Sequence, residues 1–282
     1  MSVAVLPLAR GTRGRSVWIA WAVLGFIALS ALWPGLLAIH SPLQVNPTHA
    51  LEGPSAAHLL GTDQLGRDLY SRVIHGAGQS LTVGLGATVV AVVIGCLFGT
   101  LAAGSKKAGD EVIMRTVDVF LAFPGLLLAL LVVAILGPST TNATLALAAS
   151  MIPGFIRLAR GQALVVRRSD YVKAAVVLGT RPVVVYMRHV VPNALPSLLV
   201  LATVNIGTAI IAGSSLSFLG LGAQAPSPEW GAMLSDARDY LDVAWSLALV
   251  PGLAITVTVI AVNVVGRDLM RRFEGRHPGV HR

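Results

Sequence analysis

The sequence predicts an all-α, polytopic membrane protein with six transmembrane helices, on three observations. Of 282 residues, 55% are hydrophobic and 12% charged, and mean hydropathy is +0.75, too apolar for one soluble core. The apolar residues fall into six runs, most of them near the ~20 residues needed to cross roughly 30 Å of hydrocarbon. All but Arg67, Arg72 and Arg238 of the 21 Lys plus Arg lie on the N-terminal side of those runs.

In chain order, residues 1–16 read as a basic tail with Arg10, Arg13 and Arg15. Val17–Ile39 is too long for a cleaved leader and has no small-residue cleavage site after it, so it reads as a retained first span. With the segment that follows, it makes a unit over 17–79. A five-helix core over 80–266 then holds spans at Ser80–Gly104, Val117–Leu136, Ala143–Ala159, Leu195–Leu216 and Trp245–Val265. The fourth is short and carries Pro153-Gly154, so either the span is tilted and kinked or its boundary lies a few residues away. Residues 267–282 read as a second tail.

The positive-inside rule places both tails, and the loop 160–194, in the cytoplasm. That accounts for the net charge of +8 through topology and leaves no case for nucleic-acid binding, since no basic stripe is interleaved with aromatics. The outer side then receives two long segments, 40–79 with four histidines and 222–244 with SPEWGAMLSDARDYL. In the second, Ser227 suits an N-cap and Pro228 the first helical position. Trp230, Met233, Leu234, Ala237 and Leu241 share one face, so an amphipathic helix over 228–241 is expected, rimmed by Glu229, Asp236, Asp239 and Asp242.

One cytoplasmic stretch is unusual. SDYVKAAVVLGTRP, Ser169–Pro182, has a cap at Ser169 or Asp170, a left-handed candidate at Gly179 and a stop at Pro182, leaving about nine helical residues. Tyr171, Val172, Ala174, Ala175, Val176, Val177 and Leu178 make it apolar on nearly every face. Such a helix is marginal alone and poorly placed in water, so it reads as a docking knob for a separate cytoplasmic protein.

Other features weigh less. GTLAAGSK at Gly99–Lys106 approaches a phosphate-binding loop, but its last pair is inverted and no strand precedes it, so the chain is not expected to be an ATPase itself. His40, His49, His58 and His75 have no helical ligand spacing and read as scattered loop histidines; no metal site is expected. The lone Cys96 reads as packing, as does Gly95-x-x-x-Gly99. Asp118, one turn after Arg115, reads as half of an interfacial ion pair. Asn205, Thr208 and Ser215 fall near one face of the fifth span, where a small, slightly polar surface lines a pathway or packs helices. The spans are almost free of charge, against the expectation for a standalone channel or secondary transporter.

YVKAAVVLG followed by RHVVPNALP at Arg188–Pro196 resembles the EAA loop of ABC-importer permeases. HLLGTDQLGRDLYSR at His58–Arg72, MRTVDVFLAFPGLLLAL at Met114–Leu130, SLSFLGLGAQAPSPEWGAML at Ser215–Leu234 and PGLAITVTVIAVNVVG at Pro251–Gly266 resemble the second permease subunit of the oligopeptide, dipeptide and nickel importers. The resemblance implies a type I ABC importer permease fold in a bacterial plasma (inner) membrane, surrounded by lipid. It implies three kinds of protein partner: a second permease in a heterodimer, two ATPase domains and an extracytoplasmic binding protein; it also implies no enzyme activity or cofactor in this chain, ATP and Mg2+ being held by the ATPases. Short peptides are the implied cargo, with nickel, glutathione or opine-like compounds as alternatives.

On matching positions the resemblance implies coupling to the ATPase through Asp170, Tyr171, Lys173, Ala174, Ala175, Leu178, Gly179 and Pro192. Location and resemblance together suggest an external gate or binding-protein contact at Gly61, Thr62, Asp63, Gly66, Arg67, Asp68, Glu229 and Trp230. Three departures stand out: Lys173 occupies the glutamate position of EAA, Gly78 an arginine position, and Gly213-Ser214 precede a run that usually starts with glutamate.

Overall fold

A computed structural model describes residues 12–274; the expected tail residues Arg10, Arg276 and Arg282 lie outside the described residues. The chain folds as α1 (Thr12–Leu32), α2 (Leu69–Gly104), α3 (Lys107–Leu121), α4 (Gly125–Leu136), α5 (Thr140–Arg167), α6 (Asp170–Val177), α7 (Pro182–Val185), α8 (Val191–Phe218), α9 (Trp230–Ala237) and α10 (Ser246–Glu274). Among the described residues there is no β-strand, only an isolated bridge between Thr62 and Asp68. Five stretches, α1, α2, α5, the α7 to α8 run and α10, are long and apolar enough to cross a membrane. The pair α3 and α4, bent by 90°, makes a sixth span if it is one broken crossing.

Several boundaries differ from the expectation. Helix α2 starts eleven residues before Ser80, because Asp68 caps it: its carboxylate accepts the Ser71 N–H at 2.8 Å. The third span is broken because Pro124 has no N–H to donate and disfavours helical geometry at Phe123. The fourth lies within the 28 residues of α5, which starts three residues before Ala143, continues eight beyond Ala159 and keeps Pro153 inside it. Residues 12–16 and 267–274, expected as tails, continue α1 and α10.

Helix α2 is the central rod. Along one side it meets α5 through small residues: a Cβ on Gly99 would sit 2.5 Å from the Ala159 Cβ and the Ile156 carbonyl, and one on Gly95 would collide with Phe155. The packing reading of Gly95 and Gly99 is correct, and Cys96 joins the same cluster with Phe155, Ala159 and Leu198. Along another side α2 meets α8, where Gly84 accommodates Ile210 and Val83 fills the space over Gly213. Gly99→Leu is expected to cost about 1–3 kcal/mol or more through overpacking. Thermal unfolding of the purified chain in detergent should show a lowered midpoint, with Leu97→Phe at the exposed neighbouring position as the unaffected control.

Candidate functional site

At the basic end of the bundle, α5 hands over to α6 through Arg167, Arg168 and Ser169. Helix α6 is fastened by little: Val172 is its one buried residue, and the Tyr171 ring meets the His189 ring edge-on at 6.2 Å. The end is as the spacing predicts, with Gly179 at φ +78°, where an L side chain would be strained. Pro182 does more than stop the helix, since it opens α7 at the first helical position. A five-residue π-helical turn over Tyr186–Val190 follows, directly before Pro192 in the first turn of α8.

What this builds is an apolar surface with no partner among the described residues. Val177 is 86% exposed and Leu178 84%, and Val176 is exposed too, all outside the span-length stretches; Val183 and Met187, also exposed, lie at the start of the α7 to α8 stretch. Asp170, Tyr171, Lys173, Ala174, Gly179 and Pro192 are exposed too, and Ala175 is half-buried. The Lys173 ammonium pairs with Asp170 at 3.0 Å, so the charge reversal at the EAA glutamate position is partly answered on the same helix. Val183 and Met187 were missed from the sequence because they belong to the next element; the helical start signal at Pro182 could have found them.

This exposed surface is rooted in the bundle. Arg167 donates through Nη1 to the Ala103 carbonyl, and the Tyr186 hydroxyl donates to the Thr100 carbonyl at 2.6 Å, tying both flanks of α6 to the end of α2. Arg160 clasps Asp110 with two bonds of 2.5 and 2.6 Å. Asp118 pairs with Arg157 on α5 at 2.5 Å rather than with Arg115, which sits 4.0 Å from Glu111. The local pairing expected for Asp118 is thus replaced by one between helices, because α3 lies against α5.

At the opposite end, the six residues Gly61, Thr62, Asp63, Gly66, Arg67 and Asp68 are all buried within the chain. As a direct contact surface they are therefore corrected: they build the loop from inside. Asp63 accepts the Leu65 and Arg67 amides through Oδ1, and through Oδ2 it meets the Arg67 Nε at 2.6 Å and the Arg72 Nε at 3.3 Å. The Thr62 hydroxyl donates to the His49 carbonyl and accepts from the Glu52 amide. Gly66 has φ +70° and its α-carbon abuts the Asn46 backbone, which leaves no room for a side chain.

Glu229 and Trp230 are likewise interior. Glu229, not Ser227, caps α9, accepting the Ala232 amide at 2.9 Å, while its other oxygen accepts the Ser80 hydroxyl at 2.9 Å. Helix α9 ends at Ala237, before Leu241, which is exposed, and Asp236, Asp239 and Asp242 form the exposed part of the expected acidic rim. The Trp230 indole donates to the Val73 carbonyl at 2.9 Å and lies over Gly76, also walling an apolar cleft of about 420 Å3 between α1, α2 and α10. Trp230 thus locks α9 to α2, and truncating it would act first through packing.

On α8, Thr208 is exposed and Asn205 and Ser215 partly so; Asn205 and Ser215 bond back to carbonyls of their own helix. That leaves a nearly apolar, weakly polar strip. Of the two glycine departures, Gly213 has a steric ground, since it sits under Val83, whereas an added Cβ on Gly78 would meet the Ala31 carbonyl on α1 at an ordinary contact distance of 3.4 Å.

The four histidines do not scatter as expected. His40 and His58 converge on Asp68, with their ring centroids 5.0 Å apart; His49 pairs with Glu52 at 2.7 Å, and His75 bonds the Ser71 carbonyl within α2. Burial opposes the Asp68 charge, but hydrogen bonds from Ser71 and His58 outweigh it and hold the carboxyl below its ordinary range.

Residues 76–277 match the family described as the binding-protein-dependent transport system inner membrane component. The chain belongs to that family. This permease is 43% identical over 251 residues to the probable D,D-dipeptide transport system permease protein of Escherichia coli K12, covering 88% of this chain and 84% of the relative. The di/tripeptide transport system permease of Pseudomonas aeruginosa is 42% identical over 250 residues, covering 86% and 82%. The glutathione transport system permease of Pectobacterium atrosepticum is 45% identical over 218 residues, covering 77% and 72%. In fold, the permease resembles a chain of the inward-facing MetNI methionine ABC transporter, with TM-score 0.58 and 17% identity over 71% of this chain and 95% of that one. The expected importer-permease fold is therefore correct, and the protein is a multi-pass membrane permease component.

Proposed function

We propose that this permease forms half of the translocation pathway of an ATP-driven importer of short peptides, with a second permease as its other half. The observation that carries the reading is the exposed apolar surface of α6 and α7 at the basic end, which needs a soluble partner to cover it. Two ATPase domains fill that role, binding ATP and Mg2+. Both termini are cytoplasmic by the basic-residue asymmetry, and an extracytoplasmic binding protein docks at the end built by residues 40–68 and α9. Closure of the ATPase pair on ATP moves α6, and the spans turn the pathway, with Asn205, Thr208 and Ser215 along it, toward the binding protein. The peptide relatives support the cargo; the glutathione relative favours that tripeptide thiol as the second reading.

The test is purification of the tagged chain from its native membrane in mild detergents, with co-purifying proteins identified by mass spectrometry. A second permease and ATPases are expected with it. Their absence in every detergent would sink the importer reading. Uptake of labelled dipeptide competed by unlabelled dipeptide but not by glutathione would settle the cargo for peptides.

A further inference from the structure

We propose that His40, His58 and Asp68 form a binding site for one divalent transition-metal cation of the Zn2+ class, at the point where the 40–68 segment meets the start of α2. One nitrogen from each ring and one carboxylate oxygen lie within 4.8 Å of one another. Asp68 Oδ1 is 2.9 Å from His58 Nδ1 and 3.8 Å from His40 Nδ1. Those two distances bracket the ~3.3 Å separating ligand atoms that sit about 2.0–2.1 Å from a tetrahedral Zn2+. The two imidazole nitrogens, within 4.8 Å of each other, have to close toward the same spacing.

Each ligand is already held. Asp68 Oδ2 is occupied as the cap of α2, which turns Oδ1 toward the two rings. The His40 backbone N–H donates to the Ser71 hydroxyl at 3.0 Å, so the first turn of α2 fixes both His40 and Asp68. His40 Nδ1 is a second, independent sign: it is buried and makes no hydrogen bond. An imidazole nitrogen 3.8 Å from a carboxylate oxygen, with no hydrogen bond of its own among the described residues, is an arrangement that a cation resolves.

The donor set decides the class of ion. Two imidazoles and one carboxylate suit Zn2+, Ni2+ or Co2+, whereas Ca2+ and Mg2+ require shells of oxygen. Without metal, the His58 Nδ1–H donates to Asp68; with metal, that proton moves to Nε2 and the ring binds as a neutral ligand. His40 is partly exposed, which supplies an entry path and room for water as fourth ligand. His49 stays outside the shell, committed to Glu52. A bound ion would staple the connection after α1, the middle of the 40–68 segment and the α2 cap to one another.

The experiment uses the full-length chain with whatever subunits co-purify, carrying no polyhistidine tag, stripped with chelator and dialysed against Zn2+ alone. Wild type is expected to retain about one equivalent, and His40→Gln and His58→Gln to weaken retention at least about tenfold. His75→Gln, on the same end but outside the cluster, should bind as wild type does. Co2+ loaded into wild type should give the intense visible bands of a four-coordinate nitrogen and oxygen site, a readout independent of any variant's folding. Failure of wild type to retain Zn2+, retention unchanged in both cluster variants, or a Co2+ spectrum of the hydrated ion would each overturn the proposal.

Discussion

Leu178→Asp is expected to reduce ATP-driven uptake at least about tenfold while leaving the permease folded. The side chain is 84% exposed, so the substitution removes no packing within the chain. Once a partner covers α6, however, the new carboxylate loses water without gaining a cation, and burying an unpaired charge costs several kcal/mol. About 1.4 kcal/mol is already a tenfold loss of binding. Ala174→Glu, one turn earlier on an exposed face, should act in the same direction. Two measurements together check this: ATPase co-purification, expected to fall, and the thermal midpoint of the isolated chain, expected to hold. Uptake and association both at the wild-type level would show that α6 carries no docking role.

Asp63→Ala is expected to be among the most destabilising single changes in the 40–68 segment, costing about 3–5 kcal/mol. The Asp63 carboxylate gathers two backbone amides and two guanidinium groups, and Arg67 and Arg72 are themselves buried. Removing it leaves two cations side by side away from water, and the turn over residues 63–67 loses its internal acceptor. Asp63→Asn keeps the shape and some acceptor capacity, so its cost should be smaller. Hydrogen exchange over residues 46–72 would report the change where it arises, as faster exchange confined first to this segment. Protection equal to wild type in Asp63→Ala would mean the ion pairs do not brace the loop.

Legibility of the sequence followed the kind of force involved. The spans and their number could be read because hydrocarbon selects long apolar runs whatever surrounds them. Helix α6 could be read because its cap, its glycine end and its apolar faces are all local. The start of α2 was missed because Arg72, His75 and Gln79 look like loop residues, although Asp68 followed by Ser71 was a cap signal in plain view. The interior placement of Thr62, Asp63, Arg67, Glu229 and Trp230 was not legible: polar residues in a segment between spans read as surface, and only the fold shows which of them face one another. The same holds for His40, His58 and Asp68, which converge from three places in the chain.

Helix α2 has 36 residues, which at ~1.5 Å each makes it about 54 Å long, well beyond the hydrocarbon thickness. One tip is anchored in the histidine-rich segment through Asp68, and the other is gripped by Arg167 and Tyr186 beside the docking helix. A stiff lever of that length converts a tilt of about 10° at one tip into a displacement of ~9 Å at the other, by the geometry of its rise. A movement of one end of α2 would then be carried to its other end by the helix itself.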